Sequence, residues 1–300
     1  LNVVTGAFGY TGRYIAQRLL SMGQRVKTLT GHPHRPNPFG EHVKAAPLDF
    51  DDPVGLARSL EGADTLYNTY WVRFPRGQVT FERAVENSRA LIRAAENAGV
   101  RKFVHISITN ASSSSHLPYF RGKGLVEEAI RSSRLSWAII RPTVIFGKED
   151  VLINNIAWAL RRFPAFVVYG SGDYRLQPVF VEDVAHIAVS AAHDDGNVVI
   201  DAAGPETHTF EGLVRLIGSK TGSGARLVHL RPGLSLALTR LVGYLVNDVV
   251  LTRDEVEGLM ASLLVSREPP TGKTRLSRWL EQNAGHLGKR YVSELRRHYQ

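Results

Sequence analysis

The sequence predicts an α/β protein built on a doubly wound parallel sheet, followed by a smaller and mostly helical region. Three observations predict it. A short apolar segment runs straight into a glycine-spaced turn and an amphipathic helix; strand and helix patterns then alternate as far as Arg141; and that regularity weakens after Pro142.

The first segment, Leu1–Val4, is apolar, with β-branched Val3 and Val4, and leads into Thr5-Gly6-Ala7-Phe8-Gly9-Tyr10-Thr11-Gly12. From Arg13 the pattern turns helical, with Ile15, Leu19 and Met22 on one face and Gly23 as a stop. Strand, glycine turn and helix is the context a dinucleotide fingerprint requires. Gly6 permits the tight turn, Gly9 lets a pyrophosphate approach the backbone, and Gly12 lets the helix pack closely on the sheet. The helix N-terminus then offers free N–H groups and partial positive charge to phosphate. The fold this predicts is Rossmann-type.

A second strand is predicted over Arg25–Thr30. Domains preferring NAD end this strand with an acid that binds the ribose 2′-hydroxyl. Here it runs into Leu29-Thr30-Gly31-His32-Pro33-His34-Arg35, with no carboxylate. Arg13, His32 and Arg35 are candidates to gather around a 2′-phosphate, so the expected cofactor is NADP, with NAD as the alternative.

Further strands are predicted over Val43–Leu48, Asp64–Asn68, Lys102–Ser107 and Trp137–Arg141. Helices are predicted over Pro53–Leu60, from Phe81 to near Gly99, and from Tyr119. Beyond Pro142 the pattern reads helix over Val151–Arg162, strands over Phe166–Tyr169 and Leu176–Phe180, helix over Glu182–Ala192 and strand over Asn197–Ala202. From Phe210 it is mostly amphipathic helix, with a short strand near Leu227–Leu230. The expected division is a dinucleotide-binding domain over 1–145 and a substrate or lid region over 146–300, with 176–202 returning to the sheet.

Composition narrows the function classes. The 300 residues are 43% hydrophobic and 22% charged, enough apolar content for a sizeable core. No Cys is present, which removes disulfides, thiolate metal sites and Cys nucleophiles. That fits a reducing compartment, and the expected location is cytoplasmic. No run of about 18 apolar residues occurs, so no membrane-spanning helix is expected. The net charge is +9, with both signs mixed except in the tail from Arg267 to Arg297. That tail reads as a solvated basic helix or a polyanion-binding surface. Nucleic acid is not an expected partner, because no recognition motif accompanies the charge. The chain begins with Leu1 rather than Met, so a leader ahead of it stays open, as does the oligomeric state.

Tyr119-Phe120-Arg121-Gly122-Lys123 sets Tyr and Lys four residues apart, on one helix face. A phenol is a poor acid–base catalyst at neutral pH, and an adjacent ammonium favours its ionised form. The glycine fingerprint and this pair together resemble the extended or atypical short-chain dehydrogenase/reductases of the NAD-dependent epimerase/dehydratase superfamily. Within it, the chain is similar to NmrA-like proteins and to relatives of the 39 kDa subunit of respiratory complex I. Asp49 after the third strand, Asn87-Ser88, Val104-His105-Ile106-Ser107, Arg141–Gly147 and Gln177–Ala185 carry the resemblance further, firmly over residues 1–195.

The resemblance implies that the dinucleotide is held by Thr5, Gly6, Phe8, Gly9, Tyr10, Thr11, Gly12, Arg13, Asp49, Phe50, Asn68, Lys123, Pro142, Thr143 and Val144. It also implies that Tyr119 is the acid–base group, with Lys123 on the nicotinamide ribose. One departure stands out: where the family places a Ser or Thr to hold the substrate oxygen, this chain has Ile108, leaving Ser107 or Thr109 to serve. The loop after the fourth strand offers Tyr70, Trp71, Arg73 and Phe74, which read either as a pocket for an apolar or aromatic substrate with some negative charge or as ordinary packing. Asp183 is expected to cap a helix and His186 to pack. Gly272-Lys273-Thr274 is no P-loop, since Arg267 stands where a glycine is required. No His has metal-ligand spacing with nearby acids, so no metal is expected.

The function these features predict first is hydride transfer from NADP(H) to a small carbonyl or enone. A nucleotide-sugar epimerase or dehydratase is a variant. The alternative from another class is a dinucleotide-binding sensor, regulator or assembly protein with little turnover, which Ile108 favours and the Tyr119/Lys123 pair disfavours.

Overall fold

The structure, a computed structural model, describes residues 1–32, 35–231, 233–234, 242–244 and 246–295. The tail residues Arg296 and Arg297 and the loop residue His34 lie outside the described residues. The chain opens with β1 (Asn2–Thr5), α1 (Tyr10–Ser21), β2 (Val26–Thr30), β3 (Val43–Pro47), α2 (Pro53–Ser59), β4 (Thr65–Asn68) and α3 (Phe81–Asn97). It continues with β5 (Lys102–Ile106), α4 (Pro118–Arg131), β6 (Ser136–Pro142), β7 (Val144–Phe146), α5 (Leu152–Arg162), β8 (Ala165–Tyr169), β9 (Arg175–Leu176) and β10 (Pro178–Phe180). Last come α6 (Val181–Ala191), β11 (Val198–Ala202), β12 (His208–Thr209), α7 (Phe210–Thr221), β13 (Arg226–Leu230), α8 (Arg253–Met260) and α9 (Leu276–Asn283).

Two compact units result, one of residues 1–142 with 181–202, the other of 143–180 with 203–300. The first holds a seven-stranded sheet in the order β3-β2-β1-β4-β5-β6-β11, parallel throughout. Parallel strands covered on both faces must be apolar on both, and β1 and β5 are buried along their whole length. Helices α1 and α6 pack together, as do α2, α3 and α4. Leu66, Leu91, Phe103, Ile130 and Ile139 lie in the core under the second group. The strand order reverses between β1 and β4, which opens a crevice at the carboxyl ends of these strands.

Local chemistry sets the helix starts. Asp52 caps α2 by accepting from Gly55 N, with Pro53 at the first position, and Thr80 caps α3 by accepting from Arg83 N. Lys102 departs from the apolar pattern yet is fully buried: its Nζ donates to the carbonyls of Asp194 and Gly196 and to Ser136 Oγ. His186 differs from expectation, being exposed and 3.3 Å from Arg18 of α1 rather than packed.

The second unit contains three two-stranded ladders: β7–β10 and β8–β13 are parallel, and β9–β12 is antiparallel. Its core includes Phe146, Leu160, Leu176, Phe210, Ile217 and Trp279. The single strand predicted over Leu176–Phe180 is two. Pro178 carries no N–H and interrupts the run, so β9 pairs with β12 while β10 pairs with β7. Among the described residues no helix is long and apolar enough to cross a membrane.

Candidate functional site

The site starts from the turn after β1. Gly6 has φ +67°, a left-handed backbone that suits glycine. Its N–H donates to Leu29 O at 2.9 Å, and Gly9 N closes the turn on Gly6 O at 2.8 Å. A Cβ on Gly12 would overlap the Gly6 carbonyl, so α1 lies as near the turn as a backbone can. On Gly9 a Cβ would stand 3.2 Å from the same oxygen, tight but tolerable. Helix α1 begins at Tyr10 with no side-chain cap and no acid in its first turn. Its N-terminal partial positive charge is therefore not offset by a capping side chain or an acid of its own first turn. Arg13 reaches back to Phe8 O at 3.4 Å, while the Phe8 ring itself is buried, which leaves its backbone as the part at the turn. Thr11 is half-buried on the first turn of α1.

Thr5 joins this turn to β4. Its Oγ accepts from Thr69 N (2.8 Å) and Tyr70 N (3.1 Å) and donates to Asn68 Oδ1 (3.2 Å). Asn68, expected at the cofactor, is fully buried and turned inward: Oδ1 also accepts from Tyr70 N, and Nδ2 faces His105 Nδ1 at 3.1 Å. At the end of β2 the His32 N–H donates to Thr30 Oγ (3.0 Å) and Arg35 N–H to His32 O (3.2 Å). The chain thus folds back and keeps both basic residues at the carboxyl end of the strand.

A cleft of about 300 Å³ lies beside the turn after β3, lined by Asp49, Phe50, Tyr70, Thr80, Arg83 and Asn87 among others. Tyr70, expected at the substrate, belongs here: its ring is 4.8 Å from Phe50 and its hydroxyl accepts from Asn87 Nδ2 at 2.9 Å. Phe74 is buried, with Arg73 over its ring at 5.8 Å, so it packs rather than lines a pocket. Trp71 lies on α4. Its ring stacks on Phe81, meets Tyr119 edge-on at 6.1 Å, and covers Gly122, where a Cβ would come within 2.9 Å.

Helix α4 carries the Tyr119/Lys123 pair on its first two turns. Lys123 is buried; its Nζ donates to Ile106 O at 2.8 Å and sits 4.7 Å from the Trp71 ring centre. Burial pushes Lys123 down to about 7, opposed by the Glu127 charge, so at neutral pH it lends Tyr119 only part of an ammonium. Burial, and secondarily Lys123, hold His105 well below the usual imidazole range, hence neutral.

Both candidates for the oxygen-holding role donate to carboxylates within the protein. Ser107 Oγ donates to Glu127 Oε1 at 2.6 Å, and Thr109 Oγ donates to Asp201 Oδ2 at 3.1 Å, both residues being buried. Glu127 is gripped from the other side by Arg141, whose Nε donates at 2.9 Å. Glu127 and Asp201 escaped the sequence reading, though each leaves a trace: Glu127 stands four residues beyond Lys123, and Asp201 is the lone charge in an apolar strand. Pro142 O accepts from Thr109 N at 3.0 Å. Thr143 and Val144 open the second unit, where the Thr143 hydroxyl donates to Gln177 O and Val144 begins β7.

The turn and the cleft fit a dinucleotide, and so do two buried polar atoms near Lys123 with no hydrogen-bond partner among the described residues, Trp71 Nε1 and His105 Nε2. A family model described as NAD(P)H-binding matches residues 6–157, half of the chain. The chain belongs to the NAD(P)H-binding family. This NAD(P)H-binding chain is 26% identical over 283 residues to the Arabidopsis thaliana mitochondrial protein "NADH dehydrogenase [ubiquinone] 1 alpha subcomplex subunit 9", covering 88% of this chain and 70% of that one. The Mus musculus protein of the same name is 30% identical over 232 residues, covering 73% of this chain and 60% of its own length. The complex I resemblance read from the motifs is borne out. In fold, the chain is similar to a nucleoside-diphosphate-sugar epimerase from Staphylococcus aureus, with TM-score 0.75 at 14% identity over 93% of this chain and 99% of that one. Among the described residues no group of three or more His, Asp or Glu is placed to hold a metal ion.

Two substitutions separate fold from ligand. Gly12→Ala is expected to destabilise the first unit outright, whereas Gly9→Val keeps the melting temperature within a few degrees and abolishes NAD(P)H binding by calorimetry. Unchanged affinity in Gly9→Val would remove the turn from the site.

Lys123 predicts a pH dependence. Its folded value, about 7, lies below the 10.5 of an unperturbed lysine. Between the two the unfolded chain holds a proton that the folded chain lacks. Stability therefore rises with pH across that window, by up to about 1.4 kcal/mol per pH unit. Urea unfolding of wild type against Lys123→Met at pH 7, 8 and 9 should show the difference growing in favour of wild type.

Proposed function

We propose that this chain binds NADP(H) in its first unit and retains it as a bound dinucleotide, serving as a redox sensor or assembly component with little turnover. The observation that carries this reading is the engagement of both flanking hydroxyls by carboxylates: Ser107 on Glu127 and Thr109 on Asp201, with Ile108 between them. A carbonyl oxygen beside Tyr119 would find no neighbouring hydroxyl to hold it, and such donors contribute orders of magnitude to turnover. The likeness to subunits of a mitochondrial NADH dehydrogenase supports the same reading.

In this reading the Gly6–Gly12 backbone and the start of α1 hold the pyrophosphate, and the Phe50 cleft takes the adenine. Arg13, His32 and Arg35 meet the 2′-phosphate, which the absence of an acid after β2 leaves unopposed. Lys123 donates to the nicotinamide ribose. When bound, the nicotinamide supplies a hydride to any acceptor that can reach it.

A second reading, reduction of a small carbonyl or enone, is favoured by the Tyr119/Lys123 pair one turn apart on α4. The likeness to sugar epimerases is one of fold and adds no weight to their chemistry.

A thermal-shift titration, coupled to an assay of NADPH oxidation against a carbonyl panel, tests the choice. NADPH at a hundredfold over its dissociation constant should stabilise the chain by about 2.7 kcal/mol. It should do so more than NADH, and Arg35→Ala should narrow the gap. Turnover should stay well below about 1 s⁻¹, the lower end of ordinary enzymes, and Tyr119→Phe should alter neither readout. Brisk carbonyl reduction that Tyr119→Phe abolishes would put the oxidoreductase first.

A further inference from the structure

Glu127 is 3% exposed and held on every side. Ser107 donates to Oε1 from the segment after β5, Arg141 from β6 donates to both carboxylate oxygens, and Arg131 lies at 3.6 Å one turn along α4. Charge-assisted bonds of this kind are about twice as strong as neutral ones and fix the carboxylate's position. The i,i+4 spacing puts Glu127 on the same face as Lys123, with Cβ atoms about 5–6 Å apart.

Lys123 by itself is poorly supplied. It is buried, its Nζ donating to Ile106 O and lying over the Trp71 ring. The groups around it are His105 from β5, which is neutral and carries no compensating charge, and Tyr119 one turn earlier on α4; from α3, Val85 packs beside the neighbouring Gly122, while the charged residues Glu82, Arg83, Glu86, Arg89 and Arg93 of that helix are exposed and Glu96 is half-buried near its far end. Arg141 and Arg131 face Glu127. Among the described residues, the negative charge that acts on Lys123 is Glu127.

We propose that Glu127 is a positioning residue: clamped by Ser107 and Arg141, its carboxylate favours the ammonium form of the buried Lys123 side chain, aimed from α4 at the end of β5, ready for the hydroxyls of a bound nucleoside. The last clause rests on the reading that Lys123 meets the dinucleotide. The inference also gives Ser107 a role. A serine beside the usual oxygen-holding position serves the lysine through Glu127 and not the substrate.

The test is the titration of Lys123 in the free, full chain, followed through its ¹³Cε resonance, which is assigned by its loss in Lys123→Met. Glu127→Gln should lower the midpoint by about one pH unit or more, a tenfold loss of proton affinity. Glu127→Asp, which keeps the charge but withdraws it, should give a smaller fall, and Ser107→Ala, which leaves the carboxylate in place, less still. If Glu127→Gln fails to fold, Glu127→Asp decides. A midpoint unmoved in whichever charge variant is folded would overturn the proposal and reduce Glu127 to a helix anchor.

NADPH affinity against pH is the second readout. In wild type it should weaken as pH rises through the Lys123 midpoint, and in the charge variant that weakening should begin at lower pH. A shifted titration with an unchanged affinity profile would support the Glu127–Lys123 coupling and overturn only the placement of Lys123 on the dinucleotide.

Discussion

The contact between Gly12 and the Gly6 carbonyl is the constraint on which the first unit depends. Without a Cβ at Gly12, the first turn of α1 comes down onto the chain reversal after β1. That approach points uncapped amides across the crevice where the strand order reverses. The same reversal brings β4 beside β1, and Thr5 uses one hydroxyl to tie the two strand ends together. The glycine turn, the Phe50 cleft and the start of α4 are thus held by a few short-range bonds around a parallel sheet.

Around the start of α4 most of the polar side chains satisfy one another. In an oxidoreductase some of these groups wait for substrate. Here Ser107 and Thr109 are bound to carboxylates, Asn68 is bound to Thr5, Tyr70 and His105, and Trp71 covers Gly122 and the Lys123 ammonium. A site built in this way gains order from its internal bonds, and releasing the Ser107 hydroxyl would leave the buried Glu127 carboxylate short of a donor. Those bonds favour holding a dinucleotide over reducing a substrate with it.

Much of this was legible in the sequence because it rests on local periodicity and glycine. The turn from Thr5 to Gly12, the strands of the main sheet and the Tyr119–Lys123 spacing all lie within windows of a few residues. What stayed hidden depends on partners far apart in the chain. Ser107 meets Glu127 twenty residues on, Thr109 meets Asp201 ninety-two residues on, and Lys102 is buried because the 194–196 loop supplies carbonyls for it. The aromatic loop stayed open for a related reason: Tyr70, Trp71 and Phe74 read by sequence either as a pocket or as ordinary packing, and each finds a different neighbour. In the second unit, Pro178 divided what looked like one strand, a case where a missing N–H overrides an apolar run.

The most direct measurement is a crystal structure of the chain with NADPH bound. The adenine should lie against Phe50, the pyrophosphate on the Gly6–Gly12 turn, and the Ser107–Glu127 and Thr109–Asp201 hydrogen bonds should remain as they are. A Ser107 or Thr109 hydroxyl released from its carboxylate and turned toward the nicotinamide would contradict the held-dinucleotide reading and point to a working reductase.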